Sequence, residues 1–123
     1  MRIVLLIVFG AAGTLARYAL DGWIQYRVGS AFPAGTLTVN LLGCLLLGAT
    51  AQFSLNHISV PPDWRIGLTI GLMGGFTTFS TFGWDSARML GNGEWTKALI
   101  YIGASVVGGI LAMMAGMRLG NAL

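Results

Sequence analysis

The chain reads as an all-α integral membrane protein with four transmembrane helices, the third broken near its centre. Three observations lead there. Hydrophobic residues make up 55% of the sequence and charged residues 9%, with a mean hydropathy of +0.77, whereas soluble domains carry about 25% charged residues. The apolar residues gather into stretches near the roughly 20 residues needed to cross a bilayer core. The third stretch is interrupted by Gly74-Gly75-Phe76-Thr77-Thr78-Phe79-Ser80-Thr81-Phe82, which sets two glycines and four hydroxyls in a charge-free run.

In chain order, the first span is expected over residues 3–20. Met1, Arg2 and the apolar run 3–9 imitate a signal sequence, but Arg17 and Tyr18 follow without a small-residue cleavage site, so the helix is expected to be kept. A link over 21–33 carries Gly22, Gly29 and Pro33, which is turn chemistry. The second span, 34–55, places Thr36, Asn40, Cys44 and Gly48 on one face by their spacing of four. Its amide therefore looks toward a packed or polar surface, either as an interhelical hydrogen bond or as part of a polar path. The link 57–65 holds Pro61, Pro62 and a His57 expected to be solvated. The third span covers 66–90, and the link 91–97 contains Asn92 and Gly93. In the fourth span, 98–117, Ala104, Gly108, Ala112 and Gly116 form a small-residue stripe of the kind that lets helix backbones touch in lipid. Trp23, Tyr26, Phe32, Trp64 and Trp95 fall in or beside the links, as an aromatic belt at headgroup level would. No linker divides the chain, so residues 1–123 are expected to form one transmembrane domain.

The net charge of +3 comes from seven scattered basic residues, without the basic stripe and interleaved aromatics of a nucleic-acid surface. With four spans, Arg2, Arg65 and Arg118 fall on one side of the membrane and Arg17, Arg27, Arg88 and Lys97 on the other. That near balance supplies no orienting bias. The chain is therefore expected to insert both ways and to pair with an inverted copy as an antiparallel homodimer. One cysteine excludes an intrachain disulfide, and no catalytic or metal cluster can be built around it. The glycine-rich 71–80 stretch lacks a phosphate-binding lysine, and no paired carboxylates occur, so an enzyme is not expected. Asp85 is the only acid within a span. Its position three residues before Arg88 suits a local ion pair. The alternative, a dual-topology proton-coupled exporter of small cationic compounds, would have to depend on Asp85.

The interrupted span reads as a site. Unpaired backbone in hydrocarbon costs several kcal/mol, so irregular backbone at that depth survives where it is buried in protein or lines a polar path. Phe79 and Phe82, three apart, share a helical face flanked by Ser80 and Thr81. Aromatic rings have a positive edge and a negative face. Edges turned to a path would support a small anion without fixed positive charge, with hydroxyls or the Asn40 amide replacing part of its water shell. Carbonyls freed by a break at Gly74 and Gly75 would instead hold a cation such as Na⁺. The same aromatic spacing suits ordinary helix packing, and spacing alone names no ion.

These residues resemble the small dual-topology fluoride channels called Fluc or CrcB, along essentially the whole chain. The stretches that carry the resemblance are Gly10 to Arg17 ending in Arg17-Tyr18, Gly35-Thr36-Leu37-Thr38-Val39-Asn40-Leu41, and the Gly74 to Phe82 motif. The resemblance implies an antiparallel homodimer in a bacterial cytoplasmic (inner) membrane, whose two pores let F⁻ leave the cell passively and so protect against fluoride toxicity. Phe79 and Phe82 match pore-lining phenylalanines, and Asn40 matches an amide that hydrogen-bonds the ion or its neighbours. Ser80 and Thr81 match a hydroxyl track, Tyr101 and Ser105 match fourth-helix positions near the pore, and Arg17 matches a basic vestibule residue. Gly74 and Thr77 match positions whose main-chain carbonyls hold a structural Na⁺ on the two-fold axis. Phe76 and Trp84-Asp85 depart from the usual family pattern.

Overall fold

Residues 1–123 are described by a computed structural model, and every element in it is helical. α1 spans Arg2–Val28, α2 Ala34–Asn56, α3 Pro62–Ile66, α4 Gly74–Phe76, α5 Phe79–Gly91 and α6 Trp95–Ala122, with a π-helical segment, Gly67–Met73, between α3 and α4. Three helices, α1, α2 and α6, are long and apolar enough to cross a membrane. The expected third crossing falls in the shorter helical pieces between residues 62 and 91.

α1 runs past Leu20 through most of the expected first link. From Asp21 to Val28 only Gly22 disfavours helix, and the chain stops where Gly29 takes a left-handed conformation (φ 64°, ψ 13°) and its N–H bonds to the Gln25 carbonyl. The extension is functional in folding terms because it holds the start of α2. The Gln25 amide donates to the Ser30 and Phe32 carbonyls at 2.7 and 2.8 Å and accepts from the Gly35 N–H, while the Thr36 hydroxyl donates to Asp21 at 3.3 Å. Polar groups at a helix N-terminus would otherwise lack partners.

Helices α2 and α6 pack along their whole length. The reason lies in the small residues: a Cβ at Gly116 would run into the Leu45 carbonyl, one at Gly48 into that of Met113, and Gly108 meets Leu41 at 3.0 Å. The predicted stripe on the fourth span thus faces α2. α1 uses the same device against the third crossing, with Gly13 lodged against the Leu72 carbonyl and the Phe76 N–H. In lipid, where burial of apolar surface drives little, such close backbone approach is what holds helices together. Gly13→Ala is therefore expected to push α1 off the third crossing and destabilise the protein by about 1–3 kcal/mol. Gly103→Ala, at a position where a Cβ meets nothing within 4 Å, serves as the control. Unfolding of both variants in detergent measures the difference; equal stabilities would contradict this packing account.

The break lies later than the glycines suggest. Gly74 is right-handed helical (φ −64°, ψ −36°), and the chain leaves the helix at Thr77 (φ −89°, ψ 156°) and Thr78 (φ −146°, ψ 115°). Gly75 serves close approach instead, since a Cβ there would sit 2.6 Å from the Gly10 carbonyl oxygen. Two β-branched threonines favour extended backbone, and Thr78 then starts α5 as its N-cap, its hydroxyl accepting from the Thr81 N–H at 3.2 Å.

Trp23, Tyr26, Trp64 and Trp95 are exposed near the helix ends, as a belt requires. Phe32 is not part of it. Its ring packs edge-on against Tyr101 at 5.8 Å, in a small core with Met89 and Ala98. His57 is only partly solvated: its ring stacks on Phe53 at 4.0 Å and its Nδ1 lies 2.8 Å from the Phe53 carbonyl oxygen.

Candidate ion-path site

The helical ladder is interrupted at Thr77 and Thr78: the Thr77 N–H and hydroxyl still donate to the Met73 carbonyl, each at 3.0 Å, whereas both backbone groups of Thr78 turn to a side chain of another helix. The Asn40 side chain, projecting from α2, brackets Thr78: its amide N–H donates to the Thr78 carbonyl at 3.0 Å, and its oxygen accepts from the Thr78 N–H at 2.8 Å. A primary amide reproduces the donor and acceptor of a peptide unit, so asparagine replaces the neighbour that Thr78 lacks. The residue is thus both the interhelical bond and a member of the polar site. Two donor-acceptor sites engaged leave it one N–H and one oxygen lone pair. The Thr77 carbonyl, by contrast, accepts no hydrogen bond within the chain.

A hydroxyl cluster surrounds the same point. Thr78 Oγ1 lies 3.1 Å from Thr81 Oγ1 and 3.3 Å from Ser80 Oγ. From it α5 carries Phe79 and Phe82, whose ring centroids are 5.5 Å apart at 44°. Phe79 is 83% exposed. Phe82 is half-buried and leans on the Tyr101 ring at 5.4 Å.

A groove of about 480 Å³ runs along this face between α2, α5 and α6. Asn40, Thr77, Thr78, Phe79, Phe82 and Ser105 line it, with apolar residues filling the rest and no ionised side chain on its wall. The Ser105 hydroxyl is buried and has no partner. Ser80 and Thr81 adjoin the groove through Thr78.

Tyr101 stands apart. It is fully buried behind Phe82, and its hydroxyl donates to Asp85 at 3.2 Å. Asp85 also faces Arg88 at 3.8 Å, so the expected ion pair forms, and this carboxylate lies off the groove wall. The sequence did not indicate the tyrosine contact, because a sequence separation of 16 and a turn lie between the two groups. Nor did it single out Thr78, although a hydroxyl residue three before Thr81 at a helix start is a cap signal.

Arg17 points inward. Because α1 continues to Val28, this residue sits well inside the helix. Its Nε–H donates to the Gly75 carbonyl at 3.1 Å. Gly74, next to it, is exposed, and a Cβ there would meet nothing within 4 Å.

Helices of membrane length, a crossing broken at a capped threonine pair and a neutral groove with unpaired polar groups define a multi-pass membrane protein with a polar site inside its spans. Residues 4–117 match the family described as CrcB-like protein, Camphor Resistance (CrcB). The chain belongs to this family. It is 50% identical over 107 residues, covering 87% of this chain and 86% of the relative, to a protein of Geobacter metallireducens named fluoride-specific ion channel FluC. Proteins of the same name are 43% identical over 122 residues in Chloroflexus aurantiacus, covering 98% and 97% of the two chains, and 41% identical over 112 residues in Acidobacterium capsulatum, covering 91% and 90%.

Proposed function

We propose that the chain is a fluoride-selective ion channel, acting as an antiparallel homodimer in a bacterial inner membrane and releasing F⁻ passively from the cytoplasm. The observation that carries this reading is the neutral groove at the helix break, where hydroxyls, an amide and the exposed Phe79 ring meet without a lysine, arginine or carboxylate on the wall. Fluoride is small and strongly hydrated, so a path must replace most of its water shell with donors at close range. Hydroxyl and amide donors from Thr78, Ser80, Thr81, Ser105 and Asn40, with the positive edges of Phe79 and Phe82, supply such a replacement. Fixed cations would bind the ion too tightly to let it leave.

One protomer leaves the groove open on one side, and polar groups at bilayer depth require cover. An inverted second copy supplies that cover and fits the near balance of basic residues across the membrane. It also turns both copies of the break toward one centre. The unpartnered Thr77 carbonyl, with the open face of Gly74 beside it, fits a small hard cation. Gly74 and Thr77 of each copy would hold Na⁺ by main-chain oxygens. The ion supplies charge that screens the carbonyl dipoles of the crossing helices. A proton-coupled exporter, by contrast, needs a carboxylate in the path, and Asp85 is held off the groove by Tyr101 and Arg88.

Liposomes loaded with KF or KCl test the reading. With a K⁺ gradient, valinomycin and no proton gradient, rapid F⁻ release without Cl⁻ release is expected. Release that requires an imposed proton gradient would count against a passive channel.

A further inference from the structure

The face of α1 turned to the third crossing carries Gly10, Gly13, Thr14 and Arg17, at helical spacings of three and four. Each of these residues meets the segment just before the break. The position of a Cβ on Gly75 lies 2.6 Å from the Gly10 carbonyl oxygen and 3.2 Å from the Thr14 hydroxyl, Gly13 abuts Leu72 and Phe76, and Arg17 Nε holds the Gly75 carbonyl at 3.1 Å. α1 is therefore a splint along the pieces that precede Thr77: Arg2 pairs with Asp63 at 2.9 Å at the far end, and Arg17 is the charged contact beside the break. Gly75 lies between the two residues, Gly74 and Thr77, whose carbonyls are read above as cation ligands. A carbonyl tied on one side fixes the peptide plane it belongs to, and the neighbouring planes are linked to it through the short helix Gly74–Phe76 and the Thr77 N–H bond to the Met73 carbonyl.

We propose that Arg17 is a positioning residue for the helix break: by holding the Gly75 carbonyl it sets the direction of the Gly74 and Thr77 carbonyls and so the affinity of the cation they bind. The proposal rests on the Na⁺ reading given above. Arginine suits the task because its planar guanidinium keeps a fixed charge and offers five N–H donors, of which the Gly75 bond uses one. Partners that orient a metal ligand from behind alter metal affinity by about 10–100-fold when removed.

The sign of the effect separates positioning from plain electrostatics. A guanidinium close to a cation repels it, so loss of charge alone would tighten Na⁺ binding. Loss of the carbonyl tie weakens it. The experiment follows the thermal unfolding midpoint of the purified protein as Na⁺ replaces N-methylglucamine at constant ionic strength, for the native chain, Arg17→Gln and Arg17→Lys. Half of the Na⁺ stabilisation is expected to need about 10–100-fold more Na⁺ in Arg17→Gln, with partial rescue in Arg17→Lys, which keeps a donor and the charge but not the planar fork. If Arg17→Gln does not fold, Arg17→Lys decides by the same shift. Tighter Na⁺ binding in Arg17→Gln, or a half-saturation unchanged in both variants, overturns the proposal alone. A native chain indifferent to Na⁺ overturns the cation reading and the proposal with it.

Discussion

Replacing Phe79 with isoleucine is expected to stop F⁻ efflux while leaving the protomer folded. The ring is 83% exposed and its nearest aromatic contact is Phe82, 5.5 Å away, so little packing is lost, and surface substitutions of this kind stay within about 0.5 kcal/mol of the native stability. The loss falls on the ion. Isoleucine keeps the bulk but has no quadrupole, so the groove wall loses an aromatic ring and the positive edge that it can offer an anion. Removal of one preorganised stabiliser in a water-poor site lowers rates by about 100-fold or more. Flux from liposomes, with helical content and dimer size measured on the same preparation, checks the result. Native flux in Phe79→Ile would remove the ring edge from the ion path.

Asn40→Leu carries the second large effect, and there stability moves with flux. Leucine fills the volume but leaves the Thr78 N–H and carbonyl without the bonds that Asn40 makes at 2.8 and 3.0 Å. Interhelical side-chain bonds in membranes average only about 0.6 kcal/mol, since unfolded segments find other partners. Here the orphaned groups are backbone at a break, which no neighbour in the chain can satisfy, and each costs about 1–3 kcal/mol. Asn40→Leu is expected to lower unfolding stability by about 2–4 kcal/mol and to abolish F⁻ release. Asn40→Asp retains the acceptor and is expected to fall between the two. A stable, conducting Asn40→Leu protein would show that the amide bracket does not hold the break.

Much of this architecture was readable from the chain because membrane helices announce themselves by length and hydropathy, and because small residues at a spacing of four must face something. Gly108 and Gly116 face α2 as their spacing requires. The Asn40 face and the aromatic pair of Phe79 and Phe82 were readable for the same reason, since helical periodicity places side chains. Periodicity does not reveal which residue breaks a helix. Gly74 and Gly75 looked like the break, yet glycine also permits close packing, and at Gly75 the packing use prevails; the extended backbone falls to Thr77 and Thr78. Contacts between distant segments were equally hidden. The Arg17 bond to Gly75 spans 58 residues and the Tyr101 bond to Asp85 spans 16, and both depend on how helices cross. Phe32 shows the converse: an aromatic near a helix end fits a lipid belt by sequence, and only the placement of Tyr101 turns it into core.

The central claim is that the neutral groove conducts F⁻ by itself. Current across a planar bilayer containing the purified protein, with F⁻ on one side and Cl⁻ on the other and no pH difference, tests this directly. The current is expected to reverse at a potential that follows the F⁻ gradient and ignores Cl⁻. A reversal potential that tracks Cl⁻ or the proton gradient would contradict it.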